Sequence, residues 1–194
     1  EEKMNSKNQM LETKVVTGLV RFSYLHAFEP SAIGDSEEKK YSVSLIIPKS
    51  DRLTLNRIKK AIEGAKENGK NSKFGGKVPA NLKIPLRDGD AERPDDEAYA
   101  GSYFINASSK TRPGLVDANL NPIIDENELY SGCYGRASVN FYPFNVSGNK
   151  GIAAGLNNLQ KIKDGEPLGG RQSAESDFDD EFIYEDDEED DFLL

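Results

Sequence analysis

Ten residues spread along this 194-residue chain combine types that could hold a polyanion and a flat ring at once. Arg21 and Lys40 come from the first third of the chain. Phe104, Asn106, Lys110 and Arg112 alternate along a middle segment, and Tyr134, Arg136, Asn140 and Tyr142 alternate along a third. Cations follow phosphates, whereas aromatic rings stack on bases at roughly 1–3 kcal/mol each and with little regard to base identity. Cations interleaved with rings and amides therefore point to single-stranded nucleic acid. Either type alone would read as ordinary solvated surface or strand packing.

Charge along the chain supports a polyanion ligand only once it is divided. The total is 25 Lys plus Arg against 34 Asp plus Glu, a net charge of −9. Twelve of those acids and no base lie in residues 173–194, which leaves residues 1–172 with a balance of +3. A mildly basic body thus carries a tethered polyanion, SDFDDEFIYEDDEEDDFLL, tipped by Phe192, Leu193 and Leu194. Like charges repel and little apolar area offsets the entropy of ordering, so a disordered acidic tail is expected. As a coil of about 22 residues it has a reach of about 25 Å, enough to compete for a groove on its own body.

Catalytic patterns are missing. GKNSKFGGKV fails the phosphate-loop spacing, because Asn71 stands where the first glycine is required and Val78 follows the lysine. DFDDEFIYEDDE lacks the glycine of a calcium loop. One histidine, His26, and one cysteine, Cys133, are too few for a structural zinc site or a disulfide framework. Asp88, Asp90, Asp95 and Asp96 read as solvated carboxylates in a Pro/Gly-rich stretch. The expectation is a protein that is not an enzyme and needs no metal or cofactor. No apolar run reaches the roughly 20 residues of a membrane helix, so the expected setting is the cytoplasm, away from membranes.

The elements that must position these residues are mostly strands. Residues 1–13 read as a flexible arm. In KVVTGLVRFSYLHAF a period of two puts Val16, Val20, Phe22 and Tyr24 on a core face, with a bulge or bend at Gly18. KYSVSLIIP is a second strand, with Tyr41, Val43, Leu45 and Ile47 inward. Leu55, Ile58, Ala61, Ile62 and Ala65 then recur at helical spacing behind an N-cap at Ser50 or Asp51. Residues 69–101 form a Gly/Pro-rich excursion with a short strand near residues 82–86. Strands follow at SYFINASS, at CYGRASVNFYPF with Ala137, Val139 and Phe141 inward, and from about Ile152 to Ile162.

Five strands and one main helix without βαβ alternation predict a mainly β domain over residues 14–172, an OB-fold-like five-stranded antiparallel barrel with insertions. The helix follows the second strand, whereas an OB helix usually follows the third. Periodicity alone also allows a plain sandwich.

PLRDGD, YFINASS, YSGCYGRASVNFYPF and NKGIAAGLNNLQKIKDGEPLGG resemble bacteriophage single-stranded-DNA-binding proteins over residues 14–172. The resemblance implies an OB-fold core binding single-stranded DNA with little sequence preference, in phage DNA replication or recombination. It also implies an acidic terminus whose tip, Asp190, Asp191, Phe192, Leu193 and Leu194, contacts replication or recombination proteins. The tip is Phe-Leu-Leu, where the bacterial single-strand binders end in Pro-Phe. Strand binders often line up along DNA, so a homo-oligomer is an allowed state. The alternative reading is a DNA mimic or adaptor that uses its acidic tail to occupy a basic site on another protein.

Overall fold

The computed structural model describes residues 10–32 and 34–169. Its strands are β1 (Lys14–Val16), β2 (Val20–Ala32), β3 (Lys39–Pro48), β4 (Leu86–Asp88), β5 (Ser102–Ser109), β6 (Gly114–Val116), β7 (Tyr134–Val146) and β8 (Asn149–Lys163). Helix α1 (Arg52–Gly69) follows β3, and a one-turn helix, α2 (Gly89–Glu92), follows β4.

Five of these strands close a ring. β2 pairs with β3, β3 with β5, β5 with β8, β8 with β7, and β7 returns to β2 through Val20↔Gly135 and Arg21↔Tyr134. That closing pair excludes the sandwich. Four seams are antiparallel and β5–β8 is parallel, because strands in a ring with an odd number of members cannot alternate direction at every seam. The result is the expected OB-like barrel, with its main helix after the second barrel strand.

β1 and β2 are the two halves of one bent strand, and both pair with β7. Gly18 lies at the bend. Its N–H donates to Thr54 Oγ1 at 2.9 Å, and a Cβ there would sit 2.7 Å from Asp51 Oδ2, so a larger residue would push the strand off the start of α1. Asp51 is the N-cap, accepting from the Thr54 N–H at 3.1 Å. The five apolar helix positions named above are all buried, and α1 packs against β7 and β1.

The barrel core contains Phe22, Val43, Leu45, Ile47, Ile105, Ala137, Val139 and Phe141. Burying each large side chain contributes about 1.5–3 kcal/mol. Three positions expected in that core lie outside it, the first being Tyr41, which is only half-buried near the start of β3. The bend at Gly18 shifts the alternation, so Val15 turns inward and Val16 is exposed. At Tyr24 the pairing slips by one residue between Ser23↔Ser44 and His26↔Ser42, and this bulge turns the tyrosine out to solvent.

The outer face also departs from the alternating reading. Residues 89–101 fold over it, and Ile46, Tyr99 and Phe104 form a second small core packed by Leu168. Tyr99 meets Phe104 edge to face at 5.1 Å, and its hydroxyl donates to Ser44 Oγ at 2.9 Å. Phe104, expected to be open to a ligand, is therefore fully buried and cannot stack on a base. A period of two assigns a residue to a face, but it does not report what later covers that face.

Candidate nucleic-acid interface

The outer face of β2, β3 and β5 holds a groove of about 410 Å³. Ser42 and Ser44 of β3 and Asn106 and Ser108 of β5 form its floor, as cross-strand partners Ser44↔Asn106 and Ser42↔Ser108. Short polar side chains keep this floor low and supply hydrogen-bonding groups. Tyr24, His26 and Arg93 stand around it.

Tyr24 owes its position to an uncommon backbone. Its φ is +46°, the left-handed region, which costs a non-glycine residue about 1–3 kcal/mol and persists only where surrounding structure enforces it. Ser131 contributes to that enforcement, its Oγ accepting the Leu25 N–H at 3.0 Å. The ring is 57 % exposed. Arg93 lies beside it, its guanidinium carbon 5.4 Å from the Tyr24 ring centre, 4.8 Å from that of Tyr99 and 5.0 Å from that of Phe104. Three rings thus hold one cation at the groove, where it forms no ion pair with any other described residue.

The segment carrying Arg93 is fastened by Lys49, which reaches Asp88 at 2.9 Å and Asp90 at 2.7 Å. These hydrogen bonds hold both aspartates below the ordinary carboxylate range and raise the lysine above its own. Asp90 also accepts the Gly101 N–H at 2.9 Å, which closes the excursion at its far end.

The ten residues singled out in the sequence lie in different places. Asn106 is in the groove floor, and Lys40 shares the outward row of Ser42 and Ser44 on β3. Lys110 and Arg112 follow the end of β5; Lys110 pairs with Glu38 at 2.8 Å, which lowers the glutamate's pKa and raises the lysine's, and Arg112 lies 5.7 Å over the Phe28 ring. Tyr142 leans on Gly155 of β8, the residue paired with Ser108, so its exposed ring continues the groove beyond β5.

Four others lie elsewhere. Arg21 and Tyr134 meet at the closing seam, where Arg21 Nε donates to the Gly132 carbonyl at 3.0 Å and Nη2 to the Glu166 carbonyl at 2.7 Å. Arg136 donates to the Thr17 carbonyl and Asn140 accepts from the Thr13 hydroxyl, both on the β7 wall beside β1. Tyr24 and Arg93 were missed because a bulge and a covering segment leave no periodic signal.

A second cavity, of about 870 Å³, adjoins the first across Tyr24 and His26. Pro167, Leu168 and Gly169 line it, and the Leu168 N–H donates to the Ser131 carbonyl at 2.8 Å. The described chain thus ends beside the groove. Asp190, Asp191, Phe192, Leu193 and Leu194 lie outside the described residues. Cys133 is buried, which pushes its thiol pKa up. Among the described residues, no group of three or more His, Cys, Asp or Glu could hold a metal ion, and no helix is long and apolar enough to cross a membrane.

A closed barrel whose outer face carries a polar-floored groove between exposed rings is the architecture of oligonucleotide-binding domains. The family of the Enterobacter phage Enc34 ssDNA-binding protein matches residues 13–193, and the chain belongs to it. Protein p50 of Acyrthosiphon pisum secondary endosymbiont phage 1 is 34 % identical over 182 residues, covering 90 % of this chain and 97 % of that one. The single-stranded DNA-binding protein from bacteriophage Enc34, solved in complex with ssDNA, is 30 % identical with a TM-score of 0.72, over 81 % of this chain and 90 % of that one. The single-stranded DNA-binding protein gp2.5 of bacteriophage T7 shares the fold, with a TM-score of 0.58 at 15 % identity over 90 % of this chain and 97 % of that one.

Proposed function

We propose that this protein binds single-stranded DNA with little sequence preference, in phage DNA replication or recombination, and that the strand lies in the groove between Tyr24 and Tyr142. The observation that carries this reading is Tyr24, an exposed ring held at a strained φ with a cation against it. Bases stack on the two tyrosines. Arg93, and Lys40, Lys110 and Arg112 at the far end, meet phosphates, while Ser42, Ser108 and Asn106 accept whichever base edge lies over them. Duplex DNA presents no free base faces, so the same rings favour an unpaired strand.

The acidic tail acts on this groove. The last described residues ahead of it, Pro167, Leu168 and Gly169, line the cavity beside Tyr24, and tethering gives its carboxylates an effective concentration of order mM, so DNA must displace them. Displacement then frees the Phe192, Leu193 and Leu194 tip for a replication or recombination protein. Membership of the phage family and the ssDNA complex of its Enc34 member support the reading.

Titration of a labelled dT oligomer and of a duplex of equal length at low salt tests it. Tighter binding of the oligomer, with log affinity falling linearly in log salt, is expected. Absence of binding to the oligomer refutes it.

A further inference from the structure

Five lysines lie together on a part of the surface that the groove does not use. Residues 69–87 contain Lys70, Lys73, Lys77, Lys83 and Arg87 without an acid, and residues 141–163 likewise contain no Asp or Glu. The fold brings these two acid-free stretches into contact. The Lys83 N–H donates to the Lys150 carbonyl at 3.2 Å, the Lys83 carbonyl accepts the Ile152 N–H at 2.9 Å, and Asn145 Nδ2 donates to the Lys73 carbonyl at 3.1 Å. A further hydrogen bond, Gly76 N–H to the Lys70 carbonyl at 2.8 Å, folds the loop back on itself. Lys70, Lys73, Lys77, Lys83 and Lys150 thus lie on segments joined to one another around the tip of the β7–β8 hairpin.

Most of these cations are exposed, and none makes an ion pair with another described residue. Lys49, Lys66, Arg87, Lys110 and Lys161 each reach a carboxylate, whereas neither of the two acid-free stretches carries one for its neighbours. Five neighbouring cations repel one another, so the cluster favours an external polyanion. It is also joined to the groove. Arg87 and Arg93 both lie 5.0 Å from the Phe104 ring, and Lys83 precedes Arg87 by four residues, about 13 Å of extended chain.

Resting on the groove reading, we propose that this lysine cluster is a second contact surface, which takes the sugar–phosphate backbone of a single strand after it leaves the groove past Arg87. The two rings within the patch are turned into the fold, Phe74 buried beside Gly69 and Phe144 half-buried against Gly151, so the contact is mainly electrostatic and independent of sequence. A strand long enough to reach it gains affinity and salt sensitivity that a short strand lacks.

The test uses the full chain with Lys73, Lys77, Lys83 and Lys150 changed to Gln, against dT oligomers of about 6 and about 20 nucleotides at two salt concentrations. On the longer oligomer, affinity is expected to fall roughly tenfold at low salt and the log–log salt slope to flatten by about 2–3, since each single-strand phosphate contact contributes about 0.7. On the shorter one, affinity stays within about twofold of the parent. Unchanged binding of the longer oligomer overturns the proposal. So does an equal loss on both lengths, the outcome if the lysines instead hold the acidic tail and their removal frees it to compete. Tyr24→Ala, run in parallel, separates the two surfaces: it weakens both lengths if the groove reading holds and neither if that reading fails, while the length dependence of the lysine variant stands by itself.

Discussion

Two cation–ring pairs on this barrel look alike in residue type and in distance. Arg21 lies 5.3 Å from the Tyr134 ring centre, and Arg93 lies 5.4 Å from that of Tyr24. Their surroundings differ. Arg21 donates to the carbonyls of Gly132 and Glu166, so it fastens the segment leaving β8 across the barrel seam. The Arg93 guanidinium makes no hydrogen bond to another described residue and rests on rings, beside a tyrosine that the fold turns outward despite backbone strain. A cation–ring pair is available to a ligand only when its donors are not already used.

Mutation of the two pairs should separate binding from stability. Tyr24→Ala is expected to cost about 1–3 kcal/mol in single-strand affinity, the range for one stacked base, with the melting temperature nearly unchanged. Fluorescence titration against a dT oligomer together with thermal unfolding checks both halves. Arg21→Ala should do the reverse. Losing two hydrogen bonds from a charged donor costs about 1–3 kcal/mol of stability, read as a lower urea midpoint, while the affinity of the folded protein shifts less than about threefold. A large loss of affinity with unchanged stability would place the strand at the seam instead.

Removing residues 173–194 should tighten binding severalfold at low salt and by less at high salt, where competition between polyanions is screened. Equal affinities at low salt would leave the tail without a role in the groove. The smallest expected effect concerns pH. Asp88 and Asp90 are depressed by Lys49, so their stabilisation of the Arg93 segment is complete above the ordinary aspartate range, about 4, and is lost as the pH falls below it. Amide exchange of residues 89–101 should therefore gain relative to that of β7 in acid. Exchange that holds a constant ratio would show that Lys49 does not fasten the segment.

Much of the barrel was legible because burial imposes a period. Ala137, Val139 and Phe141 alternate as a half-buried strand must, α1 repeats its apolar residues at helical spacing behind Asp51, and Gly18 marks the bend. The groove was less legible. Tyr24 fits the inward row until the bulge turns it out, and Phe104 fits the outward row until Tyr99 covers it. Arg136 and Asn140 alternate outward as read, yet on a wall that only ring closure places away from β3 and β5. Alternation is a local property, whereas the groove depends on which strands become neighbours and on what crosses them.

The role proposed for the groove depends most on where the strand lies. Amide chemical-shift mapping of the full chain, titrated with a short dT oligomer, tests this directly. The largest changes are expected at Tyr24, His26, Ser42, Asn106 and Ser108, with Tyr142 at the border. Changes centred on Arg136 and Asn140, or an absence of change on the outer face of β2, β3 and β5, would contradict it.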